Sequence, residues 1–532
     1  MKIITMEQYL SRRERGFQSW GDENFIMRRI YTSINMFNSY HTNQESGEPV
    51  RVGGAIFNLE FNADGNVMVA ATERKSVLVF DAITQKEIFK VPDAHTDCVN
   101  CIKFVDARIF ATGSDDLTVA MWDLRNMREK LRVLHGHSNW VKNIEYSPKD
   151  KLLVTSSFDG SILTWDTASY TEQGLISERV FHVSGLLRCR ISPMGDKLVL
   201  CTSGGYIMVI HRLDLTTLND DLSGFKPGVY RLMQVVDQYI PVAAKFDHLF
   251  SRRQKRNRVE LVTDFPERND ADMILALQIH PNSRCMLTRV SYDENREWTC
   301  IHDINEDVAN MKKRHPSSTS GRAASASGSG QDGSSTPPTR RISNYNTTNG
   351  RGGAAAHAQH LHEQPESFPR DIWAAELTVQ QRAIRPTAYN SVHAISSEVL
   401  PLRQAIPASQ RHRLARRPFV DPEPKSKKLM YYISEANVKP TYIKEPGFSV
   451  DGRIICSPYD NGVRLLGYSA DCSDYPIYTT FEKGKQSPRQ MVVLAHLKEH
   501  QDAVLCAKFS PREPLLVTGC AKGDVTWYRP NL

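Results

Sequence analysis

The chain has 532 residues, of which 40% are hydrophobic and 24% charged, with a formal net charge of +7. A core of some size is affordable, no run of about 18 apolar residues offers a membrane span, and the opening Met1-Lys2-Ile3-Ile4-Thr5 leads within a few residues to Arg12-Arg13-Glu14-Arg15 rather than to a secretory leader. Ten cysteines scattered through apolar segments fit a reducing compartment, so the expected location is intracellular, nucleus or cytoplasm.

The first 46 residues repeat nothing later in the chain. Residues 6–20 and 23–37 carry apolar side chains at helical spacings with Gly21-Asp22 as a break between them, which predicts a helical arm. Phe17, Trp20, Phe25, Ile26, Ile30, Tyr31 and Ile34 are many large apolar groups for such a segment. They either pack on the rest of the chain or enter a partner's groove.

From residue 47 an alternating apolar strand recurs, each time ending in a large apolar residue and a short turn. The copies stand at Phe61, Phe104, Tyr146, Ile191, Ile279, Phe448 and Phe509. The early ones recur at the roughly 40–45 residues of WD-type blades, and the later ones at that period plus inserted sequence. Short strands at this period predict an all-β fold, a seven-bladed WD40 β-propeller with an N-terminal helical arm and two long loop insertions.

Two copies carry a complete polar set. His95, Thr112, Asp116 and Trp122 in the second, and His137, Thr155, Asp159 and Trp165 in the third, are types that can hydrogen-bond in a chain within one blade. Because the set recurs at the repeat spacing it reads as structural rather than as a catalytic triad. Cys98 and Cys101 face opposite sides of a strand and cannot share a metal. The last copy keeps Thr518 but has Lys522 and Tyr528 where Asp and Trp belong, so its blade is expected to rely on packing alone. Its outer strand is expected from residues 47–52.

Blades one to four are assigned to 47–215. A flexible basic insertion, 216–258, holds Arg252, Arg253, Lys255, Arg256 and Arg258; the end of blade four and blade five follow at 259–305. Residues 306–427, with a Ser-, Gly-, Thr- and Pro-rich stretch, are expected to be disordered, and 428–532 to complete blades five to seven. Within the second insertion, Arg340-Arg341-Ile342-Ser343 matches a basophilic kinase site with Ser343 as acceptor, and His357, His360 and His362 form a tract read as chance rather than as a metal site.

Blade two ends Trp122-Asp123-Leu124-Arg125. This resembles the docking box of the WD-repeat substrate receptors of cullin-four ubiquitin ligases, as do the continuous stretch from His95 to Gly174, the segments YISEANV, DGRIICSP and GVRLLGY, and the apolar arm. The resemblance implies docking on damaged-DNA-binding protein one, and through it on cullin-4 and a RING protein, with Trp122, Asp123 and Arg125 as the docking residues and Phe17, Trp20, Phe25, Ile26 and Ile30 as arm contacts. Ala168 follows Trp165-Asp166-Thr167, so blade three offers no second docking arginine. The implied function is recruitment of an unknown target protein for ubiquitination; a general WD-repeat scaffold is the alternative. No catalytic residue, cofactor or metal is expected, since no P-loop or HExxH motif occurs and Gly447-Phe448-Ser449-Val450-Asp451 misses the G-x-S-x-G elbow. Membranes are not expected partners, nor are nucleic acids.

Overall fold

The computed structural model describes residues 5–17, 22–41, 54–167, 177–203, 205–236, 238–253, 255–266, 273–291, 295–305, 428–437, 443–472 and 488–531. Trp20, the segment 47–52, Ser343 and the histidine tract fall outside them, as does 306–427.

Seven antiparallel sheets form the blades of a propeller. With strands lettered a to d outwards from the axis, blade one is Ile56–Phe61, Val67–Thr72, Val77–Asp81 and Glu87–Val91. Blade two is Val99–Phe104, Ile109–Ser114, Thr118–Asp123 and Arg132–His135, and blade three Val141–Ser147, Leu152–Ser157, Ser161–Asp166 and Ser177–His182. Blade four is Leu186–Ile191, Lys197–Thr202, Ile207–His211 and Arg258–Val262. Blade five is Met273–Ile279, Arg284–Ser291, Arg296–Asp303 and Leu429–Ala436, whose edge takes the two-residue strand Arg489–Gln490 in parallel. Blade six is Gly447–Phe448, Ile454–Tyr459, Gly462–Gly467 and Val492–Leu497. Strands b and c lie between neighbouring blades and are buried on both sides, so they read as near-continuous apolar runs rather than as alternations; every residue of Lys197–Thr202 and Ile207–His211 is buried.

Blade seven contains Val504–Phe509, Leu516–Cys520 and Asp524–Pro530, and its outer strand is Ile34–His41, paired from Ile34↔Pro530 to His41↔Asp524. The expectation that 47–52 closes the ring is therefore corrected, and part of the arm is a strand instead of a helix. Asn35, Asn38 and Ser39 are weak strand formers, which hid this segment. Tertiary contact decides it: Ile34 is buried in the core shared by blades six and seven, while Phe37 and Tyr40 pack on that of blade one. The Tyr40 ring meets Phe80 edge-on at 5.0 Å, and its hydroxyl donates to Glu87.

The basic insertion is also corrected. Its described residues include helices at Leu218–Asp221, Pro227–Val236 and Pro241–Ala244 and a 3-10 turn at Asp247–Phe250. Leu218, Leu222, Phe225, Tyr230, Ala243 and Leu249 are buried in one cluster with blade-four residues such as Leu198 and Ile210. Tyr230 stacks on Phe250 with centroids 3.7 Å apart. The basic residues drew attention away from these apolar positions; Arg252, Arg253, Lys255 and Arg256 are exposed, whereas Arg258 is buried in strand d.

The a strands line a polar axial channel. One side chain from each blade meets there: Glu60, Lys103, Glu145, Arg190, Gln278, Glu445 and Lys508. Opposite charges alternate around most of this ring. Lys103 lies 3.1 Å from Glu145, Arg190 reaches Glu145 at 2.8 Å and Glu445 at 3.1 Å, Gln278 donates to Glu445 at 3.1 Å, and Lys508 pairs with Glu60 at 2.5 Å. Three anions face three cations, so the buried groups are neutralised as well as hydrogen-bonded.

In blade five, His302 stands where the repeat would have Trp; it pairs with Cys285 as Phe80 of blade one pairs with Met68. Burial pushes its imidazole down to about 4; Nε2–H donates to the Asp264 carbonyl at 2.7 Å and Nδ1 has no hydrogen-bond partner. An unfolded histidine takes up its proton near pH 6.5 and the native one only near 4. The stability this provides is complete above the unfolded value and is lost as pH falls towards the folded one, by up to about 3 kcal/mol. Urea denaturation between about pH 7 and pH 4.5 should show this loss in the wild type and a shallower one in His302→Phe; equal slopes would refute it.

Candidate protein-docking face

The structure brings both sets of four polar residues together. Trp122 Nε1–H donates to Thr112 Oγ1 at 2.9 Å, that hydroxyl meets His95 Nε2 at 2.8 Å, and His95 Nδ1–H donates to Asp116 at 2.9 Å. In blade three the matching distances are 2.9, 2.8 and 3.1 Å for Trp165, Thr155, His137 and Asp159. Burial alone would raise the Asp116 carboxyl, but hydrogen bonds from His95, Thr118 and the Thr96 amide outweigh it and hold the group well below the usual carboxylate range. Asp159 is held low in the same way by His137, Ser161 and the Ser138 amide. Every member is engaged within its blade, which leaves nothing here arranged to attack a substrate.

Trp122 is 1% exposed. It therefore fixes the strand from which Arg125 leaves and offers little surface of its own to another protein. Asp123 is half-buried and accepts from the Arg125 amide at 3.0 Å while pairing with Arg108 at 3.4 Å. The backbone turn at the end of strand c is thereby held from two sides, and Arg125 is exposed beyond it. A guanidinium presented from a fixed turn is suited to a carboxylate or paired carbonyls on another protein.

The arm divides into two parts. Helix α1, Met6–Glu14, opens with a capping box between Thr5 and Gln8 and buries none of its residues. Leu10 is 50% exposed and Phe17, just beyond, 68%. Helix α2, Asp22–Thr32, packs on the propeller: Tyr31 is buried in the core of blades six and seven with Met27 and Ile30 against it, and Ile26 is also buried. Polar ties fix its position, since Tyr31 donates to Asp451 at 2.6 Å and Arg453 reaches Asn24 at 2.9 Å and Glu23 at 2.6 Å. Of the expected arm contacts, Ile26 is occupied by the protein itself, Ile30 is partly so, and Phe17 and Phe25 stay exposed.

Antiparallel strands place all a–b and c–d connections on one face of a propeller and all b–c and d–a connections on the other. Arg125 lies in the c–d connection of blade two, α2 rests on the a–b turn of blade six through Asp451 and Arg453, and the helical insertion is the c–d connection of blade four. All three share the ab/cd face. The described connections of the opposite face are short turns.

Sequence reasoning missed two features. The ring residues Glu60, Lys103, Glu145, Arg190, Gln278 and Lys508 each stand directly before the large apolar residue that marks a repeat, a signal present in the sequence. His500, which bonds Thr518 at 2.6 Å, was the other; it precedes Thr518 by 18 residues, the His137-to-Thr155 spacing. Blade seven thus does not rely on packing alone.

No helix among the described residues is long and apolar enough to cross a membrane. Residues 86–123, 128–166 and 491–528 match the WD domain, G-beta repeat family. The chain is 31% identical to DDB1- and CUL4-associated factor 10 of Xenopus tropicalis, over 94% of this chain and 90% of that one, and 33% identical to the Homo sapiens protein of the same name, over 94% and 74%. Among solved structures, the Myceliophteria thermophila Cps50 (Swd1) beta-propeller domain aligns with a TM-score of 0.47 at 10% identity, covering 93% of this chain and 99% of that one.

Proposed function

Because the chain belongs to the DDB1- and CUL4-associated factor 10 family, we propose that it is the substrate-recognition subunit of a cullin-RING ubiquitin ligase. Its ab/cd face docks DDB1, and through it CUL4 and a RING protein; the opposite face takes a target protein. The observation that supports this reading is the gathering on one face of an exposed, backbone-anchored Arg125 and a helix α2 locked to blade six with Phe25 exposed on it. The chain performs no chemistry in this role and acts by raising the effective concentration of target lysines near the recruited conjugating enzyme.

Affinity capture of DDB1 tests the proposal. Arg125→Ala and removal of residues 1–21 should each lower recovery about tenfold, the effect of losing an interface anchor, and together they should abolish it. Undiminished recovery with the doubly altered chain would sink the docking assignment.

A further inference from the structure

Blade seven departs from blades two and three in a way that leaves a buried imidazole nitrogen unused. In those blades His Nδ1–H is spent on the tetrad carboxylate, Asp116 or Asp159. Here that position is Lys522, which is exposed and pairs with Gln501. His500 is 5% exposed, its Nε2 is bonded to Thr518, and its Nδ1 has no hydrogen-bond partner.

Two further donors face the same place. A ring nitrogen of His500, Cys520 Sγ and an Asp524 carboxylate oxygen lie within 4.8 Å of one another, and all three residues are buried. Cys520 ends strand b and Asp524 begins strand c, joined by a tight turn in which Gly523 adopts φ +96°. That turn aims the Asp524 amide at Cys520 Sγ, 3.4 Å away, an arrangement that stabilises a thiolate. Asp524 is oriented from its other side by His41, the last residue of the closing strand, at 2.9 Å. Thr518 on His500 and His41 on Asp524 are the outer partners that hold metal ligands in place.

We propose that His500, Cys520 and Asp524 bind a divalent metal ion of the zinc class, with the fourth position open to water or to His41. Imidazole, thiolate and carboxylate together suit Zn²⁺ better than the oxygen-preferring Mg²⁺ or Ca²⁺. With Nε2–H donated to Thr518, the ring offers Nδ1 as a lone pair. Binding would displace the Cys520 thiol proton to solvent. The ion would pin the closing strand to blade seven at the seam of the ring.

The test uses the full chain, purified without a histidine tag, loaded with Co²⁺ under reducing conditions and passed through a desalting column. The wild type should show a thiolate-to-cobalt charge-transfer band and intense tetrahedral d–d bands, and should retain zinc when loaded with it instead. Cys520→Ala should lose the charge-transfer band and the retained zinc, while Cys98→Ala, at a buried cysteine of blade two, keeps both. Asp524→Asn preserves shape and should also lose zinc, covering the case in which Cys520→Ala does not fold. No charge-transfer band in the wild type, or equal retention in all variants, overturns the proposal; the first result would mean that Asp524 merely stands in for the missing tetrad carboxylate.

Discussion

Removing residues 1–41 is expected to cost the chain its cooperative fold, whereas removing residues 1–21 should leave its melting temperature nearly unchanged. The longer truncation takes away the outer strand of blade seven and the ladder from Ile34↔Pro530 to His41↔Asp524. It uncovers the apolar surface beneath Ile26, Tyr31 and Ile34, which are 4%, 5% and 2% exposed. At about 1.5–3 kcal/mol for each buried side chain, that loss alone approaches the roughly 5–15 kcal/mol that holds a typical fold together. It also turns Asp524–Pro530 into an open edge ready to pair with another chain. The shorter truncation removes α1, which buries nothing. Circular-dichroism melting with limited proteolysis distinguishes the two, and a cooperative transition in the 42–532 chain would overturn the assignment. A deletion meant to probe docking must therefore stop short of Ile34, or loss of the fold will pass for loss of binding.

Arg190→Met should be the most damaging single substitution in the axial channel. The guanidinium reaches Glu145 at 2.8 Å, Glu445 at 3.1 Å and the Leu277 carbonyl at 3.1 Å. Burial would raise the Glu145 carboxyl, yet Lys103 and Arg190 together hold it below the usual carboxylate range. Without Arg190, two enclosed carboxylates lose their shared cation, leaving Lys103 for Glu145, and Arg188 at 3.3 Å with the amide of Gln278 for Glu445. Breaking a buried ion pair from one side costs about 3–5 kcal/mol. Lys508→Met offers the contrast: its side chain is 35% exposed and pairs with Glu60, so about 1 kcal/mol or less is expected. Urea denaturation midpoints at neutral pH compare them, and equal losses would show that the ring is not a coupled network.

The blade repeat is legible in the sequence. The seven apolar turn residues from Phe61 to Phe509 mark seven blades, because strand alternation and turn chemistry are local and repeat at a fixed period. The two tetrads were equally legible, since their members recur at nearly constant offsets. Arg125 can be singled out because it follows Trp122-Asp123 with one residue, Leu124, between; that Trp122 is sealed in the blade needed the packing around it.

What local pattern could not settle was everything that depends on a distant neighbour. The basic cluster in residues 216–258 reads as a flexible loop, although Phe225, Tyr230 and Leu249 find a core against blade four. Ile34–His41 has a poor strand sequence and becomes a strand because Asp524–Pro530 presents unpaired backbone groups to it. His41 and Asp524 meet across 483 positions of sequence, and the channel ring draws one residue from each of seven blades. The sequence by itself determined the blade and its count, because a blade is built from residues close along the chain. Only the tertiary structure decided how the ring closes, what lines its axis and which side chains share its docking face, because those contacts exist only once the seven blades have come together.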